Sequence, residues 1–275
     1  LEVIDDTKRM APADNYGLIL WSHGQGWLQN GIEDDLASKG GEVSTMSFGS
    51  DGSHKMNVTT LAATLEGQGF DYVYFDCCFM MGIEVVYQMR NVAQTIVGSV
   101  MELPADGMPY DLNLRYLMPE TPDFIAAART TFDLYDSYTG SARTCAMSVV
   151  DTSELDNLAA ATREVFQTST PLPDDFTPQE FMMRNLYVGG QCYIYDFEQY
   201  VEAKSPDSEV YKRWRQSLAK AVPYAQTTPK IWNNIDVKHY CGLSTFILKA
   251  EQDADFYNYK ELDWYRDVAR YAVLK

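Results

Sequence analysis

Two apolar runs that each end beside a reactive side chain set the strongest limit on how this chain can fold. Residues 17–22 are followed at once by His23, and Cys78 lies three positions beyond residues 72–75. Short apolar runs between polar turns are typical of strands buried on both faces of a parallel sheet. The carboxyl ends of such strands open onto the ligand crevice of an α/β fold. We therefore expect a base and a nucleophile to meet at one edge of the sheet.

The alternation of strand-like and helical patterns continues through the first part of the chain. Residues 95–99 and 145–150 predict a third and a fourth strand. Helical spacing lies between and after these strands, at residues 61–65, 80–94, 121–139 and 155–167. The polar, glycine-rich residues 25–55 predict a long loop. We therefore predict an α/β fold with a mostly parallel central sheet flanked by helices.

A proline-containing stretch divides the predicted elements. Residues 168–178 hold three prolines among small and acidic residues, which is typical of a linker. We therefore predict a first domain of residues 1–170 and a C-terminal subdomain of residues 171–275 that packs on it. The subdomain is predicted to be an α+β extension, with helices at 207–224 and 257–273 and a strand at 242–248.

Composition argues against several classes of protein. The formal net charge is −17 and there is no Lys/Arg cluster, which disfavours a nucleic-acid partner because phosphate binding needs a basic surface. No apolar run approaches the roughly 18 residues that a membrane span needs. The five cysteines are odd in number and form no C-x-x-C pair, which disfavours a disulfide framework or a structural zinc site. We therefore expect a globular protein with at least one free thiol.

The groups at the two predicted strand ends have the chemistry of peptide cleavage by a thiol. Such cleavage needs a thiolate, a proton donor for the leaving amine and hydrogen-bond donors for the developing oxyanion. Cys78 is the candidate nucleophile and His23 is the candidate proton donor. The amides of Gly24 and Cys78 are candidate oxyanion donors, because a glycine lets the substrate carbonyl approach the backbone. These residues predict a cysteine peptidase that uses a Cys/His dyad.

At these positions the sequence resembles the clostripain family of cysteine peptidases. Residues 18–27 resemble the family's apolar strand followed by His-Gly-x-Gly-Trp. Residues 75–80, with Glu84, resemble its Asp-x-Cys-x-Met block and the Glu that follows it. Residues 98–102 and 106–110 are similar to its Ser-x-Glu loop and Gly-Trp-x-Tyr element, although methionine replaces the usual Trp. The resemblance covers most of the chain.

The resemblance implies a caspase-like fold and a thiol endopeptidase that cleaves after Arg or Lys. It implies His23 and Cys78 as the dyad, and it places Asp76 in the primary specificity pocket, where a carboxylate pairs with the substrate cation. Asp106 is a candidate second acid for that pocket. Cys77 departs from the family, which more often has a small residue such as Ala there. The departures affect the expected substrate preference more than the expected chemistry.

The resemblance also implies processing and export. Family members are commonly cut by their own activity at a basic residue, and Lys39, in a Gly-rich loop, is the candidate cut site. The chain begins at Leu1 rather than Met, so we expect that an upstream segment has been removed. A secreted, periplasmic or cell-surface bacterial enzyme is the expectation. The substrate is expected to be a peptide or protein. No cofactor is required for the chemistry. The resemblance allows a structural calcium ion, but no acidic cluster has the spacing of a calcium loop that would place it.

Several of these assignments have a competing alternative. A catalytically silent protein that binds peptides or partners would share the fold, and turnover of reporter peptides separates the two. Asp76 could instead cap the helix that follows its strand, because Asp is a favoured N-cap. Glu84 fits the role of a surface or packing residue as well as it fits a functional role. His54 and His239 have no evident partner in the sequence.

Overall fold

A five-stranded sheet organises the molecule. The structure is a computed structural model that describes residues 1–28, 48–51, 54–182, 192–205, 207–248 and 251–272. The strands of the sheet, in spatial order, are β1 (Gly17–Trp21), β4 (Tyr72–Asp76), β5 (Thr95–Gly98), β6 (Ala146–Asp151) and β8 (Tyr224–Thr227). β1, β4 and β5 are parallel to one another, while β6 runs antiparallel to β5 and to β8. Four of these five strands therefore point the same way, and their carboxyl ends share one edge.

Helices cover both faces of this sheet. The helices of the described residues are α1 (Glu2–Met10), α2 (Val58–Leu65), α3 (Ile83–Gln88), α4 (Tyr110–Leu117), α5 (Phe124–Asp136), α6 (Leu155–Thr168), α7 (Phe197–Lys204), α8 (Ser208–Ala221) and α9 (Asp263–Asp267). Buried residues of α4 and α5 form one core, and those of α2, α3 and α6 to α9 form a larger core on the other side. The fold is the predicted α/β class, with helices on both sides of a mostly parallel sheet.

Side-chain alternation along β4 explains why the sheet is buried on both faces. All five residues of the strand are buried. Tyr72 and Tyr74 belong to the core beneath α4 and α5, whereas Val73 and Phe75 belong to the larger core. Successive strand residues point to opposite faces, so the large apolar or aromatic side chains at the first four positions fill both layers.

Short strands complete the architecture. β2 (Phe48–Asp51) pairs with β3 (His54–Met56), β7 (Tyr195–Asp196) pairs with β11 (Ser244–Thr245), and β9 (Lys230–Ile231) pairs with β10 (Ile235–Asp236). β2 and part of β3 lie within the predicted loop of residues 25–55, so that prediction was wrong for its described end.

Three predicted elements are shorter than the sequence pattern indicates. In the predicted helix 80–94 only α3 is helical, because the residues before it turn back to bond the loop after β5. Only β11 forms in the predicted strand 242–248. In place of a continuous helix over 257–273, the chain forms 3₁₀ turns at Glu251–Glu261 and Ala269–Ala272 around α9.

The parts of the chain before and after the predicted linker, residues 168–178, contact each other. β8, from the later part of the chain, bonds to β6 in the central sheet. On the helical side, the Nε1 of Trp214 in α8 donates to the hydroxyl of Thr162 in α6 at 2.8 Å. The domain boundary near residue 170 stays a prediction. No helix in the described ranges is long and apolar enough to cross a membrane.

Candidate active site

The pairing of β1 with β4 brings the two predicted catalytic loops side by side. These strands are adjacent and parallel, and their register pairs Trp21 with Asp76 at the last position of each strand. His23 and Cys78 each follow two residues later. Because paired parallel strands advance together, equal offsets place both residues at the same edge of the sheet. His23 is exposed and Cys78 is half-buried, so both are within reach of a ligand at that edge.

The backbone after His23 packs directly against the backbone after β4. A β-carbon built on Gly24 would overlap the carbonyl oxygen of Cys78 and would lie 2.7 Å from the β-carbon of Cys77. These two neighbours leave no room for a side chain at position 24. The two loops therefore touch, and glycine is the residue that lets them do so.

A tight turn follows the candidate nucleophile. Phe79 has a φ of +61°, a left-handed conformation that costs a non-glycine residue roughly 1–2 kcal/mol. Its amide donates to the carbonyl of Met101 at 3.2 Å, and the amide of Met81 donates to the carbonyl of Ser99 at 3.0 Å. The loop after β5 therefore holds the turn in place and compensates for its strain.

The Cys78 thiol lies against the same loop. The amide of Leu103 donates to its sulfur at 3.4 Å. Burial raises the pKa of Cys78 to about 11; the Leu103 hydrogen bond opposes this rise, while the negative charges of Glu102 and Asp76 add to it. The thiol is therefore protonated at neutral pH in this form. A nucleophilic role for this sulfur would therefore require transfer of its proton.

Cys77 has a different environment from its neighbour. It is 2% exposed, and its thiol donates to the carbonyl of Leu20 in β1 at 2.8 Å. Burial raises the pKa of this thiol far above its usual value. All five cysteines are free thiols, and Cys78 is the one that is not buried. The two adjacent thiols thus have different neighbours, Leu20 for Cys77 and Leu103 for Cys78.

Asp76 is a buried carboxylate with one oxygen satisfied and one not. It is 4% exposed, and its Oδ2 accepts hydrogen bonds from the amide of Met108 at 3.1 Å and from the hydroxyl of Tyr110 at 2.7 Å. A β-carbon on Gly107, whose φ is +67°, would lie 2.6 Å from that oxygen. Oδ1 is buried and has no hydrogen-bond partner within the described ranges. Burying such an oxygen without a donor is costly, so this atom is suited to a donor from outside the chain.

Asp76 does not cap the helix that follows its strand. That helix, α3, has Gly82 at its N-cap and receives no side-chain capping bond. The partners of Asp76 come instead from the loop before α4 and from the first residue of that helix. The side chain therefore faces the segment that resembles the family's Gly-Trp-x-Tyr element.

Asp106 lies at the surface beside this carboxylate. It is exposed, in a turn that the amide of Gly107 closes by donating to the carbonyl of Pro104 at 3.0 Å. Gly107 packs on the buried carboxylate of Asp76, and Asp106 is the residue before Gly107 in the chain.

Sequence reasoning assigned no role to three residues of this site: Glu102, Leu103 and Tyr110. Leu103 acts through its backbone, which no side-chain pattern reports. Glu102 accepts a hydrogen bond from the indole nitrogen of Trp232, 130 positions away in sequence. Tyr110 matches the Tyr of the family's Gly-Trp-x-Tyr element, and this match was the sequence signal that could have identified it as a site residue.

The remaining candidates do not join this cluster. Glu84 is fully buried in α3 and contacts the C-terminal part of the chain. His239 is exposed. Lys39 and the side chain of His54 lie outside the described residues. In the part of the chain that the structure describes, no group of three His, Cys, Asp or Glu residues could hold a metal ion.

Known proteins resemble this chain over nearly its whole length. The model of the clostripain family matches residues 2–267. An inactive zymogen of a C11 protease from Parabacteroides distasonis is 32% identical, with a TM-score of 0.79 over 97% of this chain and 74% of the other. A secreted C11 cysteine protease from Bacteroides thetaiotaomicron, in complex with an irreversible peptide inhibitor, is 26% identical, with a TM-score of 0.76 over 97% and 75% of the two chains. None of the curated proteins matches.

Proposed function

This chain belongs to the clostripain family of cysteine peptidases, and we propose that Cys78 is its nucleophile and His23 its proton-transfer partner. The observation that supports this pair most directly is the β1–β4 register, which gives both residues the same offset beyond one strand edge. The contact of Gly24 with the Cys78 carbonyl supports it further, because it keeps the two loops together.

The proposed reaction uses His23, Cys78, two backbone amides and one water molecule. His23 accepts the thiol proton as the Cys78 sulfur attacks the scissile carbonyl carbon, and a C–S bond forms. The carbonyl oxygen takes up negative charge and receives hydrogen bonds from the amides of Gly24 and Cys78. When the C–N bond breaks, His23 gives its proton to the leaving amine. A water molecule, deprotonated by His23, then hydrolyses the thioester and restores the thiol.

The proposed substrate carries Arg or Lys immediately before the scissile bond. The unsatisfied Oδ1 of buried Asp76 supports this, because a guanidinium or ammonium group would supply the missing donor and a compensating charge. Tyr110 and Met108 hold the other oxygen, so the carboxylate is oriented before substrate arrives. We assign Asp106, at the surface beside this pocket, to steer the cation toward it. The net charge of −17 favours cationic peptides in the same way.

A panel of reporter peptides tests the proposal. The wild-type enzyme is expected to hydrolyse peptides with Arg or Lys before the reporter group at least about 100-fold faster than peptides with Ala or Glu there, because a buried ion pair is lost. A preference for an uncharged residue would overturn the assignment of Asp76 while leaving the dyad in place. No turnover of any peptide by processed enzyme would instead favour a protein that binds peptides without cutting them.

We also propose that the enzyme is made as a precursor and cut by its own activity after Lys39. The supporting comparison is the P. distasonis structure, which is described as an inactive zymogen. Mass spectrometry of purified wild type is expected to find a new N-terminus at Gly40, and neither Lys39→Ala nor Cys78→Ala should produce it. Fully active enzyme with the Lys39–Gly40 bond intact would reject this site.

Export is the proposed location. The similar B. thetaiotaomicron protease is described as secreted, which supports a secreted, periplasmic or cell-surface enzyme here. An extracellular peptidase also meets peptide and protein substrates directly.

A further inference from the structure

We propose that Glu84 is a positioning residue for catalysis, which ties the C-terminal segment, residues 244–248 and 251–259, to both loops of the proposed catalytic pair. The inference rests on the proposed roles of His23 and Cys78. It assigns no contact between Glu84 and substrate. Its basis is a set of hydrogen bonds and ring contacts that meet at one buried carboxyl group.

One oxygen of Glu84 gathers three donors from the C-terminal segment. Oε1 accepts hydrogen bonds from the hydroxyl of Thr245 at 3.0 Å, the amide of Phe246 at 2.8 Å and the hydroxyl of Tyr259 at 2.9 Å. Glu84 is 0% exposed, so water does not compete for this oxygen. Buried hydrogen bonds to a carboxyl group are directional, and they fix the segment relative to α3.

The segment also bonds to the loop that carries Cys78. The amide of Ser244 donates to the carbonyl of Met81 at 3.1 Å, and Ser244 forms a parallel bridge with Gly82. Met81 lies three residues beyond Cys78. Met81, in the loop that carries Cys78, is therefore hydrogen-bonded to Ser244, the residue before Thr245.

The loop that carries His23 rests on the same segment. Trp27, four residues beyond His23, packs against Phe246 with 5.0 Å between ring centroids and against Tyr259 with 4.7 Å. These are two of the three residues that donate to Glu84. The segment therefore contacts both loops, and we expect a shift of the segment to change the distance between the imidazole and the sulfur.

Variants at position 84 separate positioning from folding. Glu84→Gln keeps an acceptor oxygen where Oε1 lies, and we expect kcat within about threefold of wild type. Glu84→Met keeps the length of the side chain but removes the acceptor, and we expect kcat to fall at least about tenfold while KM changes less than about threefold, because misplacement by an ångström can cost up to about 100-fold. Rates are referred to folded enzyme counted by alkylation of Cys78, and thermal unfolding is recorded for each variant.

Thr162→Val is the matched control. Thr162 is also 0% exposed, and its hydroxyl accepts from the indole nitrogen of Trp214 at 2.8 Å, a buried hydrogen bond that joins α6 to α8 and not to either catalytic loop. Its replacement should lower the unfolding temperature without lowering kcat. If Glu84→Met does not fold, the double variant Thr245→Val with Tyr259→Phe removes two of the three donors and keeps the ring beneath Trp27. We expect kcat to fall in this variant too, but by a smaller factor because one of the three donors remains.

The pH dependence of stability gives a second readout. Burial raises the pKa of Glu84 from 4.5 to about 7, against the effect of its hydrogen bonds. The folded protein therefore holds a proton that the unfolded chain releases between these values, so this group's contribution to stability is lost as pH rises toward 7. Glu84→Gln should lack this loss. The titratable groups that face Glu84 in the described residues are the hydroxyls of Tyr259 and Tyr200, which stay protonated across this range.

Three results would overturn the inference: unchanged kcat in folded Glu84→Met, an equal loss in Thr162→Val, or an equal loss in Glu84→Gln. Cys78→Ala, measured beside them, keeps the proposals apart. If Cys78→Ala is inactive and Glu84→Met is as fast as wild type, only the role of Glu84 fails. If Cys78→Ala retains wild-type turnover, the proposed dyad itself fails.

Discussion

Replacing Cys78 with alanine is expected to lower kcat for a cleavable peptide by at least about 10⁴-fold, because removal of a covalent nucleophile leaves only binding and oxyanion stabilisation. Cys77→Ala is the matched control, since it removes a thiol from the adjacent position. That thiol is buried and bonded to Leu20, so kcat should stay within about threefold of wild type. Both rates are measured with the same reporter peptide on enzyme whose Lys39–Gly40 bond has been cut, in the case of Cys78→Ala by immobilised wild-type enzyme that is removed before the assay.

Labelling with iodoacetamide identifies the reactive thiol independently. Cys78 is the cysteine that is not buried, so one label per chain is expected in wild type and in Cys77→Ala, and none in Cys78→Ala. Loss of activity in Cys77→Ala with retention in Cys78→Ala would transfer the nucleophile to the neighbouring position and would reject the assignment.

Replacing Asp76 with asparagine is expected to lower kcat/KM for Arg and Lys peptides by about 100-fold or more, because a substrate cation would lose its buried partner. The effect should appear mainly in KM. Asparagine retains an oxygen that can accept from Tyr110 and Met108, so the pocket keeps its shape. Hydrolysis of peptides with an uncharged residue at that position should change far less.

Asp106→Asn is the control for charge alone. Asp106 is exposed, so its removal should cost only about threefold for the same peptides, and less at high salt. If Asp76→Asn lowers hydrolysis of charged and uncharged peptides equally, Asp76 supports the fold of the site and does not select the substrate.

The sequence predicted most of the central sheet because its inner strands carry strong local signals. β4 is apolar or aromatic at four consecutive positions, which few other structures tolerate. β8, with the sequence Tyr-Ala-Gln-Thr, was missed, since its first residue was assigned to the end of a helix. Its place in the sheet comes from pairing with β6, which is 75 or more residues away in sequence, and such pairing leaves no local pattern.

The positions of the two proposed catalytic loops were predictable because each follows a strand whose end could be read from the sequence. Leu103 and Trp232 were not, since one acts through its amide and the other through a contact across the fold. Glu84 was left open between packing and function for the same reason. Its three donors lie more than 160 positions away, and only the folded chain brings them to one oxygen.

The five residue pairs between β1 and β4 bear on what a cut after Lys39 would leave behind. Such a nick separates a short N-terminal fragment, which contains His23, from the fragment that contains Cys78. The pairing from Gly17 with Tyr72 to Trp21 with Asp76 lies wholly outside the cut loop. The two fragments would therefore stay joined non-covalently through the sheet, and maturation would free the severed ends without parting the imidazole from the sulfur.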